Sequence, residues 1–234
     1  MIRDIVKPTL TLAAVAFICT LLLSYVQKFT EPAIKRQKGE NQDEALKLVL
    51  PGFSVGDAQK ISMAGVEFLF WIGKKKVDYK TVKGYAFITA GAGYGGNIES
   101  MVGVDESGKI LGVSILNQSE TPGLGARCVE VANRETLWDY IKNGMPARDY
   151  NKERRIPWFQ NQFEGIDANA EVRITRRGVW NPEMRPQLLE TNAISALTGA
   201  TITTAAVVQS IRLGMTTLKK ALSMRLPDTD GGAQ

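Results

Sequence analysis

Four threonines fall within seven residues, Thr198, Thr201, Thr203 and Thr204, interleaved with Gly199, Ala200 and Ile202. The run that follows, Ala205 to about Met224, predicts a long helix. A helix start exposes backbone N–H groups and carries a partial positive charge, so it suits a phosphate. Threonine hydroxyls along such a start can hold a phosphate covalently as well as by hydrogen bonds. The same residue types are ordinary helix caps, so the segment gains weight only beside others.

Two further segments stand beside it. Gly91-Ala92-Gly93-Tyr94-Gly95-Gly96-Asn97 permits close approach of backbone to a ligand, with Tyr94 as a stacking face; a flexible hairpin loop is the plain alternative. The spacing is not that of a dinucleotide fingerprint in a βαβ unit. Glu120-Thr121-Pro122-Gly123-Leu124-Gly125 reads as a tight turn ahead of a helix. It can present backbone N–H groups and the Thr121 hydroxyl to a polar ligand edge, and Leu124 to a flat ring. None of the three segments supplies a general base paired with a nucleophile, so the set fits holding a cofactor better than hydrolysis.

Composition removes several chemistries. The 234 residues contain no histidine, which excludes Ser-His-Asp and Cys-His nucleophile systems and histidine metal sites. Cys19 lies in an apolar run and Cys128 far along the chain, so no disulfide is expected, and two thiols cannot ligate a four-cysteine cluster. No catalytic residue and no metal ligand is therefore assigned. Net charge is +5 and the pI near 9.2. The basic clusters, Lys74-Lys75-Lys76, Arg154-Arg155 and Arg176-Arg177, accompany no nucleic-acid motif, so nucleic acid is not an expected partner. They read as solvated surface, or as contacts to anionic lipid headgroups.

Pro8 to Gln27 carries no charge and is long enough to span a membrane. Basic residues flank it, and Tyr25 and Phe29 sit where an interfacial belt belongs. A cleaved signal peptide is the rival reading; the long apolar core and the exit Ser24-Tyr25-Val26-Gln27, without a small-x-small pattern, favour an uncleaved anchor. Charge alone does not fix the orientation, because the basic excess after the span points one way and long domains cross regardless of it.

In the body, Glu31–Leu50 predicts a helix stopped by Pro51-Gly52. Val66–Ile72 and Gly84–Thr89 predict strands. Met101–Val104 and Lys109–Leu116 predict a hairpin around Glu106-Ser107-Gly108, and Val172–Thr175 a short strand. Ala126–Asn143 predicts an amphipathic helix facing inward with Val129, Leu137 and Ile141. Strands followed by separate helices give an α+β class: one domain with a mainly antiparallel sheet packed by helices, preceded by one N-terminal transmembrane helix. The expected divisions are 1–30 anchor, 31–226 ligand-binding domain and 227–234 disordered tail.

The string Ser119–Gly125, the segment Gly93-Tyr94-Gly95-Gly96, the run Trp158-Phe159-Gln160-Asn161-Gln162-Phe163-Glu164-Gly165 and Thr198-Gly199-Ala200-Thr201-Ile202-Thr203 occur in that order behind the apolar span. In this the chain resembles the covalent FMN-binding proteins of two membrane complexes. One is the G subunit of the Rnf ferredoxin:NAD oxidoreductase, an ion-translocating electron-transport complex. The other is the C subunit of the sodium-translocating NADH:quinone reductase. The compact chain and the Trp-Phe-Gln run favour the first. A membrane-tethered flavin-binding sensory module is a reading from another class.

The resemblance implies that a flavin transferase attaches FMN, taken from FAD, to Thr201 through a phosphodiester. It implies a pocket of Thr198, Gly199, Ala200, Ile202, Thr203, Glu120, Thr121, Gly123, Leu124 and Tyr94. It further implies an electron-transfer role without an independent catalytic centre, and contacts with the other members of the complex and with membrane lipid. The location implied is the bacterial inner membrane, single-pass, with the FMN domain on the periplasmic side. Two positions depart from the family's habit. Ser195 stands where an aspartate is common three residues before the motif, and Gln118 and Ser119 stand where a histidine often precedes Glu-Thr-Pro.

Overall fold

The structure is a computed structural model that describes residues 2–63, 65–77, 79–131, 157–175 and 182–225. It divides into a helical unit, Met1–Glu44, and a compact unit, Ala45–Gln234.

The first unit is drawn from helix α1, Ile2–Val49. Within it, Thr9–Val49 contains an 18-residue window of mean hydropathy 2.1, apolar and long enough to cross a membrane. Leu10, Leu12, Phe17 and Leu23 are all exposed, and so continuous an apolar surface is suited to lipid rather than water. Beyond it the helix turns polar. Lys35 pairs with Glu31 at 2.6 Å and Arg36 with Glu40 at 2.9 Å, one turn apart, the spacing that supports a solvated helix. The helix predicted after the span therefore continues from it without a break.

The compact unit is built on an antiparallel sheet. Strands β3 (Val66–Val77), β4 (Lys80–Ala92), β5 (Asn97–Asp105) and β6 (Ile110–Asn117) follow one another, and β1 (Ser54–Val55) and β2 (Gln59–Met63) pair along the free edge of β3. Alternation assigns the two faces. Phe70, Phe87, Val102 and Val113 stand in register across four strands and enter the main core. Their neighbours Trp71, Ala86 and Met101 point to the opposite face, where Ala45, Val49 and Leu50, at the end of α1, cover them. Both faces are thus buried, which explains why these strands read as nearly continuous apolar runs.

The main core is closed by helix α4, Thr201–Arg225, through Val207, Ile211, Met215 and Leu218. Between the sheet and α4 the chain forms the short helices α2 (Trp158–Asn161) and α3 (Arg185–Glu190), and strands β7 (Arg173–Thr175) and β8 (Ala193–Ser195), which pair in parallel. The first half of α4 is pinned to β4 at two points. The Thr89 hydroxyl donates to Ser210 O at 2.7 Å. At Gly91 a Cβ would lie 2.3 Å from Ala206 O, so only glycine lets the helix backbone come this close.

The α+β class with its mainly antiparallel sheet agrees with the expectation, but several boundaries differ. The strands expected at 66–72 and 84–89 extend to one long hairpin, because the cross-strand ladder continues through Lys74, Lys75 and Lys76, whose charge hid the strand. The helix expected to begin at Ala205 begins at Thr201, since the Thr204 amide already bonds back to Ala200 O. The helix expected at 126–143 is, as far as Val131, a 3-10 turn, Gly125–Val129, ended by extended Glu130 (φ −75°, ψ 123°). Its bonds, Arg127 N–H to Leu124 O and Glu130 N–H to Arg127 O, span three residues, the 3-10 pattern. The rest of that segment, including Leu137 and Ile141, and the tail 227–234 lie outside the described residues.

Gly91→Ala is expected to destabilise the domain by about 1–3 kcal/mol, lowering Tm by roughly 2–10 °C. An unchanged Tm in differential scanning calorimetry contradicts the close approach of β4 and α4.

Candidate functional site

The first amide of α4 bonded one turn back is that of Thr204, to Ala200 O at 3.2 Å. The amides of Thr201, Ile202 and Thr203 precede it and have no carbonyl to reach within the helix. Gly199, at φ +77°, turns the chain into this start from β8.

The four threonines divide by what their hydroxyls do. The Thr204 hydroxyl is buried, accepts from Leu197 N–H at 3.0 Å and donates to Ala200 O at 3.1 Å, so it braces the turn. The Thr203 hydroxyl is buried and donates to Glu120 Oε2 in a short bond. Thr198 is exposed and does not line the adjoining cavity. The Thr201 side chain is half-buried and lines that cavity, and its hydroxyl makes no hydrogen bond among the described residues. It is the uncommitted nucleophilic oxygen at the helix start.

Glu120 joins the other two segments to this one. Its side chain is buried; Oε1 accepts from Gly95 N–H at 2.9 Å, in the turn between β4 and β5 that Gly93 N–H to Gly96 O closes. Its own amide donates to Gln118 Oε1 at 2.7 Å. A Cβ on Gly125 would lie 2.3 Å from Glu120 Oε2 and 2.6 Å from Thr203 Oγ1, so glycine there is what allows carboxylate and hydroxyl to meet.

The result is a cavity of about 490 Å³, a size usual for small-molecule sites. Tyr94, Glu120, Thr121, Leu124, Gly199, Ala200, Thr201, Ile202 and Thr203 line it, so nine of the eleven residues proposed from sequence meet at one place. Of the other two, Thr198 is exposed and Gly123, at φ +77°, shapes the turn behind Leu124. Gly125, which closes the turn singled out from sequence, also lines the cavity. Tyr94, Leu124 and Ile202 are 75%, 46% and 56% exposed, giving the cavity a partly apolar, accessible border.

The Trp158–Gly165 run does not line this cavity. Phe159 and Phe163 are fully buried edge-to-face in the core. The glutamines between them hold backbone on either side. Gln160 Nε2 donates to Cys128 O at 3.1 Å, and Gln162 Oε1 accepts from Ser195 N–H at 2.7 Å. One thus fixes the turn after Gly125 and the other the strand leading to Thr201. Two glutamines set among phenylalanines were a legible sign of buried polar work, but not of its partners. Ser195 is fully buried, and its hydroxyl has no partner among the described residues.

Known proteins share this arrangement of sequence. A family model described as an FMN-binding domain matches residues 93–215, and a second, described as the RnfG N-terminal region, matches residues 1–49. The G subunit of the ion-translocating oxidoreductase complex of Vibrio parahaemolyticus is 30% identical over 192 residues, 76% of this chain and 90% of that one. Its counterpart in Haemophilus influenzae is 27% identical over 187 residues, 77% of this chain and 87% of that one. The G subunit of the proton-translocating ferredoxin:NAD(+) oxidoreductase complex of Clostridium ljungdahlii is 26% identical over 204 residues, 87% of this chain and 86% of that one. A crystal structure of the C subunit of the Na(+)-translocating NADH-quinone reductase from Parabacteroides distasonis superposes with a TM-score of 0.47 at 17% identity, over 81% of this chain and 95% of that one.

Cys128 is fully buried. Burial, and then the charge of Glu120, push its thiol up to about 11. Burial and then Glu106 also raise the Tyr85 hydroxyl. Both groups hold their protons more tightly folded than unfolded, so their contribution is full below the unfolded pKa and lost as pH rises through the folded one. Stability is expected to fall by about 1–3 kcal/mol between pH 9 and 11, with Cys128→Ala removing most of that slope. A wild-type stability flat across this range, measured by urea unfolding, contradicts the assignment.

Proposed function

The chain belongs to the FMN-binding-domain family, in its RnfG branch, and from that premise we propose that Thr201 carries the FMN through a phosphodiester. The protein is an FMN-carrying electron-transfer subunit of an ion-translocating oxidoreductase complex, with other members of that complex as partners and one N-terminal helix crossing the membrane. When bound, FMN supplies the chemistry of accepting and passing on electrons.

The residues present fit such a group. The observation that carries the reading is the distribution of hydroxyls: Thr203 and Thr204 are committed to internal bonds, and Thr201 is free at a helix start lining a cavity. In the attachment step a flavin transferase directs the Thr201 oxygen onto the FMN phosphorus of FAD; the new P–O bond replaces the bond to AMP, which leaves, and the hydroxyl proton is released. The amides of Thr201, Ile202 and Thr203, with the positive end of the α4 dipole, would hold the remaining phosphate charge. Tyr94, Leu124 and Ile202 offer apolar surface to a flat ring, and Thr121 a polar group at its edge. Access at this border lets a redox partner approach.

We place the domain on the periplasmic side of the bacterial inner membrane. The resemblance to the covalent FMN-binding proteins supports this side. Protease added to intact spheroplasts is expected to digest the domain; digestion only after lysis contradicts it.

Protein matured in a host with the transferase is expected to show flavin fluorescence in a denaturing gel. Thr201→Ala should abolish it, while Thr198→Ala retains it and Thr203→Ala retains at least part. A fluorescent Thr201→Ala band rejects the acceptor.

A further inference from the structure

Glu120 presents an unusual charge arrangement. It is 6% exposed, lines the cavity, and uses both carboxylate oxygens as acceptors, from Gly95 N–H and the Thr203 hydroxyl. No lysine or arginine pairs with it among the described residues. The neighbouring guanidinium, Arg127, is engaged elsewhere, 3.0 Å from Glu130 and over the Trp158 ring. Burying an ionised carboxylate without a cation is costly unless dipoles replace the lost water. Here those dipoles are one amide, one hydroxyl and the first turn of α4, to which Thr203 belongs. The negative charge is delocalised by hydrogen bonds but not cancelled, and its field extends to Cys128 nearby.

Resting on the FMN reading above, we infer that Glu120 is a tuning residue that makes the bound flavin harder to reduce. Reduction delivers electrons from an external donor to the flavin and so adds negative charge beside a fixed anion in a poorly solvated wall. That repulsion disfavours the reduced form and lowers the reduction potential. The same carboxylate also positions the site, because it ties the glycine turn and the helix start to one loop.

The charge and the shape can be separated. Glu120→Gln keeps the outline: the amide oxygen accepts from Gly95 N–H, and the amide nitrogen donates to the Thr203 oxygen, with no charge left. Thr203→Val keeps the charge and removes the hydroxyl that disperses it. Full-length protein matured with the transferase and purified in detergent is assayed for flavin by intact mass, and its potential is measured by equilibration with redox dyes. In loaded proteins we expect Glu120→Gln to lie at a higher potential than wild type and Thr203→Val at a lower one. Equal potentials for wild type and Glu120→Gln overturn the tuning role and leave the FMN reading standing. Wild-type protein without flavin overturns the FMN reading and the inference with it. If Glu120→Gln does not fold or load, Thr203→Val decides, and a potential equal to or above wild type overturns the inference.

Discussion

A buried carboxylate shared between two distant stretches of chain organises this domain. Glu120 accepts from Gly95, 25 residues before it, and from Thr203, 83 residues after it. The three segments come from a sheet turn, a loop after the last strand of that sheet and the start of the closing helix. Core packing and the Gly91–Ala206 approach bring β4 and α4 together, and Glu120 ties the loop to both. An unsatisfied buried carboxylate is costly, so its bonds from the Gly95 amide and the Thr203 hydroxyl constrain both segments. The cavity is the space left when those constraints are met. The glutamines 160 and 162 act one layer further out, holding the loop and the strand that deliver Cys128 and Ser195.

Much of this was legible in the sequence, for identifiable reasons. The apolar span and the core strands announce themselves because burial on one or two faces dictates residue type position by position. The cavity residues were also legible, because turns rich in glycine and hydroxyls at element ends leave few other uses for so many small polar groups. What stayed hidden was long-range. The hairpin of β3 and β4 extends through lysines, which are poor strand residues in isolation and become strand only by pairing across to Val82 and Thr81. The described start of the helix expected at 126–143 is a 3-10 turn, Gly125–Val129, whose backbone Gln160 holds at Cys128 O. Strand β8 was missed because three residues carry no period, and it exists by pairing with β7.

The threonine cluster shows how structure sharpens a motif. In sequence, four hydroxyls are chemically equivalent candidates. In the fold, Thr204 braces the helix cap, Thr203 donates to the carboxylate and Thr198 is exposed outside the cavity, whereas Thr201 lines the cavity with no hydrogen bond to its hydroxyl among the described residues. The hydrogen bonds thus distinguish the four hydroxyls that spacing alone leaves alike. The membrane anchor and the compact unit contribute separately, one by keeping the protein at the bilayer and the other by holding a redox group where partners can approach it.

The central claim is that a single side-chain oxygen, that of Thr201, is esterified. The most direct measurement is fragmentation mass spectrometry of the tryptic peptide running from residue 178 to 212, taken from protein matured in its native host. The account predicts that this peptide carries the mass of one FMN less one water, with the added mass localised to Thr201. An unmodified peptide, or the mass on Thr198, Thr203 or Thr204, contradicts it.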